Sequence, residues 1–277
     1  MHSPVVIIEG LIASGKSTLA VELGQALGPD CLTLLEPDER DNANPYLASF
    51  YADSILGRRP GMTESNAAEY AEAQRRLYDA AAGLKEGTLD HLNEDYGMHR
   101  WGFTMQCHLL AKRFRMQLRA QWHCLDDGGP AVLDRSYYGD TCFARMLAKS
   151  GHLTQDEFAT YQTLYHSMTA SVLLPNVCIR VLVDPKTSQQ RIVKRYEERE
   201  GRQMENVIGL GYLQALDKEI DHMVSVLRHQ GVTVIDMPWD VVRDTADQRA
   251  QAVAGLAARI QSLEPLDLFL DLHRRSI

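Results

Sequence analysis

The chain lacks the features that would place it outside ordinary intracellular globular chemistry. It has no CxxC pair, and its five cysteines (Cys31, Cys107, Cys124, Cys142, Cys178) form no cysteine–histidine cluster with zinc-ligand spacing. Reduced, buried thiols are therefore expected rather than a disulfide framework or a zinc module. No apolar window approaches the length of a membrane span. No basic leader or apolar signal core precedes the first strand pattern, so the expectation is a cytoplasmic protein with no membrane partner. Positive charge is also in deficit: 29 Lys and Arg against 37 Asp and Glu leave a net charge of −8. That argues against a broad nucleic-acid footprint. Repeats and clear linkers are absent, and a single domain over residues 1–277 is expected.

What is present is sharper. Gly10-Leu-Ile-Ala13-Ser14-Gly15-Lys16-Ser17-Thr18 spells GxxxxGK[ST], directly after the apolar run Val5–Ile8 and directly before helical spacing at Leu19, Leu23 and Leu27. Strand, glycine loop and helix in that order make a cradle for phosphate. Loop N–H groups and the helix N-terminus point at the anion, Lys16 supplies a cation, and the Ser17 hydroxyl suits magnesium. A nucleoside triphosphate, ATP, is the expected ligand, with Gly10, Ala13, Ser14, Gly15, Lys16, Ser17 and Thr18 around its phosphates.

Short β-branched runs predict strands at Val5–Glu9, Cys31–Leu35, Ala131–Leu133, Val177–Val183 and Val232–Ile235. Helical patterns separate them, at Ser17–Leu27, about Trp101–Leu125, Thr141–Lys149, Gln155–Leu173, Thr187–Arg199, Tyr212–His229 and Ala246–Leu263. This alternation predicts an α/β fold, a parallel five-stranded sheet with helices on both faces. Residues 54–96 break the rhythm as a long polar insertion, with a surface helix expected over Glu64–Leu84, and the tail Leu263–Ile277 reads as a C-terminal helix.

Five segments in register carry a resemblance. They are Ile8-Glu9-Gly10 through Thr18, Leu34-Leu35-Glu36-Pro37, Asn44-Pro45-Tyr46-Leu47 with Phe50-Tyr51-Ala52-Asp53, Arg100-Trp101-Gly102-Phe103-Thr104-Met105-Gln106, and Asp134-Arg135-Ser136-Tyr137 to Asp140. Together they resemble the deoxyribonucleoside kinase family. The resemblance implies a P-loop NTPase-type sheet, a helical lid over about residues 191–206 and a homodimer. It also implies transfer of phosphate from ATP, with magnesium, to the 5′-hydroxyl of a deoxynucleoside. Feedback inhibition by a deoxynucleoside triphosphate is compatible with it.

Phosphoryl transfer needs a base, a metal site and cations. Glu36 ends the second strand at the sheet edge where ligands bind in open α/β folds. The resemblance makes it the general base, with Arg135 and Lys16 as catalytic cations and Asp134 joining Ser17 at the metal. Arg191, Arg195 and Arg199 recur every fourth residue on one helix face. On spacing alone that row suits either a lid over triphosphate or a solvated helix. The resemblance selects the lid and gives Glu200 to the sugar 3′-hydroxyl, although Glu197 stands where the family has a basic residue. For the acceptor base it implies Gln106, Arg113 and Asp140, beside Trp101, with either Tyr51 or Tyr96 at the 3′-hydroxyl. A carboxamide offers a donor and an acceptor, and an Asp–Arg pair suits an exocyclic amino group. Deoxyadenosine, deoxyguanosine or deoxycytidine is therefore expected over thymidine. The donor adenine is expected near Met237–Val241. Competing readings are a kinase acting on a nucleoside monophosphate or on a modified base in DNA, and a non-catalytic nucleotide-binding protein.

Overall fold

The computed structural model describes residues 3–36, 46, 50, 100–198, 205, 208–239 and 246–263. Strand β1 (Val5–Gly10) is buried along its whole length. Its side chains alternate between two cores: Val5 and Ile7 join one apolar cluster, Val6 and Ile8 the other. Period-two alternation with both faces apolar is what a central strand covered by helices requires. β3 (Ala131–Asp134) and β4 (Val177–Leu182) flank it, and β2 (Leu32–Leu34) and β5 (Thr233–Pro238) form the edges. The sheet order is β2-β3-β1-β4-β5, and all four pairings are parallel.

Helices α1 (Lys16–Leu27) and α7 (Ala246–Gln261) pack on one face, where Leu19, Leu23, Val253 and Leu256 meet Val6 and Ile8. The other face carries α2 (Arg100–Trp122), α3 (Tyr137–Lys149), α4 (Gln155–Thr169) and α6 (Leu210–His229). α5 (Pro185–Glu197) follows β4 and starts on an Asp184 cap with proline in its first turn. This is the α/β architecture expected from the sequence. Several boundaries move: α4 ends at Thr169 rather than Leu173, β5 runs Thr233–Pro238 rather than Val232–Ile235, and α6 starts at Leu210 rather than Tyr212. β2 spans three residues rather than five. α3 starts at Tyr137 rather than Thr141, because the Ser136 side chain accepts from the N–H groups of Tyr138 and Gly139 and caps the helix earlier.

That early start puts Asp140 in the first turn of α3, at the same sheet edge as the glycine loop. Among the described residues no helix is long and apolar enough to cross a membrane. The insertion at 54–96 and the tail beyond residue 263 lie outside the described residues.

Candidate active site

Parallel register sets the site. Ile8 of β1 faces Asp134 of β3, so the glycine loop after β1 and the Asp134-Arg135 pair leave the sheet side by side. Gly15 adopts φ 90°, in the left-handed region that favours glycine. A Cβ there would also lie 2.8 Å from Nε1 of Trp239. Lys16 is buried and donates to the Leu11 carbonyl at 2.5 Å. Burial, then repulsion from Arg135, lowers its ammonium pKa to about 7. The Ser17 hydroxyl donates to Asp134 Oδ2 at 2.5 Å, while Asp134 Oδ1 is buried without a hydrogen-bond partner. An orphaned carboxylate oxygen beside a hydroxyl is a donor set that fits magnesium, which takes few protein ligands and completes its shell with phosphate and water oxygens. No group of three or more His, Cys, Asp or Glu side chains suited to a metal occurs among the described residues.

Glu36 lies two residues past β2, with two arginines on its carboxylate: Arg113 Nη2 donates at 2.5 Å and Arg135 Nε at 3.0 Å. Arg113 also donates through Nη1 to Asp140, so it bridges both carboxylates. Those two carboxylates outweigh the cost of burial and hold the guanidinium above its ordinary pKa. Asp140 is fully buried. Burial raises its carboxyl pKa, against the opposing pull of Arg113 and the Tyr161 hydroxyl, which donates at 2.6 Å. Gln106 is equally buried, and neither end of its carboxamide has a partner. Buried polar groups are nearly always paired, so an orphaned carboxamide calls for a partner from a ligand or an internal water. Trp101 stacks on Tyr46, ring centroids 5.7 Å apart.

Arg191 ties the glycine loop to the end of β5, with Nη2 on the Trp239 carbonyl at 2.9 Å and Nη1 on the Ser14 carbonyl at 3.4 Å. Arg195 pairs with Glu205 at 3.1 Å. Arg199, Glu200, Tyr51 and Tyr96 lie outside the described residues. The structure thus brings together Lys16, Ser17, Glu36, Arg113, Asp134, Arg135 and Asp140, with Gln106 buried two turns before Arg113 on α2.

The sequence reading missed four contributors. Glu9, noted only as a motif letter, accepts from the N–H and the hydroxyl of Ser136 at 2.8 and 2.5 Å. A Cβ on Gly139 would collide with that carboxylate at 2.4 Å. Glu9 thereby braces the turn in which Arg135 sits at φ 65°. Burial raises the Glu9 pKa, partly offset by Arg135. Phe143 lies under both arginines, 4.9 Å from the Arg135 guanidinium carbon and 5.6 Å from that of Arg113. Its position three past Asp140 on a helix was a readable signal. Tyr161 had none, since its reach depends on how α4 docks. Trp239 fell inside the expected donor loop but carried no distinguishing pattern.

A glycine loop between β1 and α1, with Asp134 and the Arg113-centred carboxylate cluster at the same sheet edge, is a P-loop nucleotide-site architecture. The deoxynucleoside kinase family model matches residues 63–255, well over half of the chain, and the chain belongs to the deoxynucleoside kinase family. It is 26% identical to a deoxyguanosine kinase of Dictyostelium discoideum over 86% of this chain and 65% of that protein. The match thus spans just under two thirds of that relative. It is 28% identical to a deoxyadenosine kinase of the same organism, over 90% of this chain and 77% of the relative. The fold matches a deoxyadenosine kinase from M. mycoides, solved with dCMP and dCDP, at a TM-score of 0.59 and 17% identity, covering 94% of this chain and 100% of that one.

Proposed function

We propose that this chain transfers the γ-phosphoryl group of ATP, with magnesium, to the 5′-hydroxyl of a deoxyribonucleoside bearing an exocyclic amino group. The observation that carries this reading is the buried Arg113 bridging Asp140 and Glu36, with the orphaned Gln106 carboxamide two turns earlier on the same helix. An orphaned carboxamide and a buried Arg113–Asp140 pair offer donors and acceptors to a base edge. Glu36 stands on the other arm of the same arginine. A nucleoside whose base meets Gln106 and Asp140 would present its 5′ end toward Glu36.

In this reading Glu36 accepts the hydroxyl proton. Arg135, braced by Glu9 through Ser136, neutralises charge on the moving phosphoryl group, and Lys16 and the loop N–H groups hold the donor phosphates. Ser17 and Asp134 would hold the magnesium ion, which supplies charge neutralisation at the phosphates. Arg191 and Trp239 border the donor side. Arg195, Arg199 and Glu200 belong to the lid, and Tyr51 or Tyr96 to the sugar 3′-hydroxyl. A cytoplasmic homodimer belongs to the same reading.

The test is phosphate transfer from ATP and magnesium to each of the four deoxynucleosides and their monophosphates, followed by product separation. Turnover of deoxyadenosine, deoxyguanosine or deoxycytidine with thymidine poor is the expected result. Thymidine as sole substrate would overturn the base assignment, and monophosphates as sole substrates would move the acceptor site.

A further inference from the structure

The base-binding helix carries a second orphaned carboxamide that the reaction does not use. Gln117 is 1% exposed, and neither Oε1 nor Nε2 has a hydrogen-bond partner. Gln106, Arg113 and Gln117 stand at i, i+7 and i+11 of α2, hence along one face. They differ in depth. α2 runs away from the glycine-loop edge and turns through residues 123–127 into the start of β3, where Cys124 Sγ reaches the Pro4 carbonyl. Gln117 therefore lies one turn further from the reacting edge than Arg113, too deep to meet the base that Gln106 receives.

Arg113 carries a matching unpaired donor. Its Nη1 is committed to Asp140 and its Nη2 to Glu36, while Nε is buried without a partner. Nε is the guanidinium nitrogen nearest its own helix, and side chains four residues apart on a helix are neighbours. A buried donor and a buried carboxamide, four residues apart on one helix and both unpaired, are the setting in which proteins hold an internal water.

We propose that Gln117 is a positioning residue for Arg113, acting through one buried water that accepts from Arg113 Nε–H and donates to Gln117 Oε1. The bridge fixes the rotation of the guanidinium, which keeps one arm on Asp140 at the base and the other on Glu36 at the hydroxyl. The proposal rests on the acceptor-site reading above for its functional consequence, and on orphaned atoms alone for the bridge.

The experiment compares the full-length protein with Gln117→Leu, and with the unbranched Gln117→Met if the first does not fold. The first readout is the Arg113 Nε–H resonance in ¹⁵N spectra, assigned by its loss in Arg113→Lys. It should exchange slowly with solvent in the parent, and move and exchange about tenfold faster in the variant once its partner is gone. The second readout is steady-state kinetics: kcat/KM for the best deoxynucleoside should fall about tenfold and discrimination against thymidine should narrow, with KM for ATP unchanged. A folded variant with an unmoved Nε–H resonance and unchanged base discrimination would overturn the proposal. If the parent phosphorylates no deoxynucleoside, the functional reading fails while the resonance still decides the bridge.

Discussion

Ser17 Oγ and Asp134 Oδ2 lie 2.5 Å apart although 117 residues separate them in the chain. The contact exists because β1 and β3 are adjacent and parallel, so that their C-terminal ends open on the same edge. It leaves Asp134 Oδ1 buried and unpartnered. Asp134→Asn should keep the hydrogen bond yet remove the charge that a divalent ion needs. Loss of several kcal/mol of phosphoryl-charge stabilisation corresponds to a fall in kcat of roughly 10²-fold or more. A magnesium titration should show a higher half-activating concentration in the variant. Unchanged magnesium dependence would remove Asp134 from the metal site.

Glu36 sits between two arginines and has 14% side-chain exposure, enough to meet a substrate hydroxyl. Glu36→Gln removes the proposed base and turns one acceptor oxygen into a donor facing an arginine. Turnover should drop by about 10²–10⁴-fold, the usual contribution of a positioned base. ATP affinity by calorimetry should stay within about twofold of the parent, since a factor of that size is well under 1 kcal/mol. Loss of ATP affinity along with turnover would place Glu36 on the donor side instead, and retained turnover would show that it is not the base.

These residues show why part of the site was legible in sequence. Lys16 and Ser17 stand in a fixed-length loop whose spacing is set by phosphate geometry. Glu36, Asp134 and Asp140 stand at or just past strand ends, where chain order alone places them at one edge. The strands were legible because β1, β3 and β4 are covered on both faces and read as apolar runs, β4 being interrupted only by Arg180. The early start of α3 was not legible from apolar spacing, because the Ser136 side-chain cap sets it. Tyr161, Trp239 and Gln117 act through packing between elements distant in sequence or through burial, and neither leaves a local pattern.

Tyr161 should therefore matter more than its sequence context suggests. Its hydroxyl donates to Asp140 Oδ2 at 2.6 Å inside the protein. Tyr161→Phe deletes a hydrogen bond to a charged group, about 1.5–3 kcal/mol. Asp140→Ala does more, because it leaves Arg113 without its fully buried partner, at about 3–5 kcal/mol. Thermal unfolding should rank the stabilities as parent, Tyr161→Phe, Asp140→Ala. Base discrimination should weaken in both variants. Equal melting temperatures for all three would show that the buried network contributes no stability.

Lys16 gives a pH signature. Its ammonium pKa lies at about 7 in the folded protein and near 10.5 in an unfolded chain. Below about pH 7 both states carry the proton, and the fold bears the full penalty of a buried charge. Between about 7 and 10.5 the unfolded chain binds more protons than the folded one, so this group makes stability rise with pH. Glu9 and Asp140 shift the opposite way, which is why the contribution must be isolated by difference. Lys16→Met should exceed the nucleotide-free parent in stability most at pH 6–7, and the gap should close as pH rises toward 10 (about the ordinary lysine range). A triphosphate placed in the loop favours the charged ammonium again. Binding of inorganic tripolyphosphate at about pH 8, between the two lysine pKa values, should therefore take up protons. Calorimetry in two buffers of different ionisation enthalpy measures that uptake. Proton uptake by the parent that disappears in Lys16→Met is the expected result, and buffer-independent heats in the parent would show that Lys16 is already charged before the phosphate arrives.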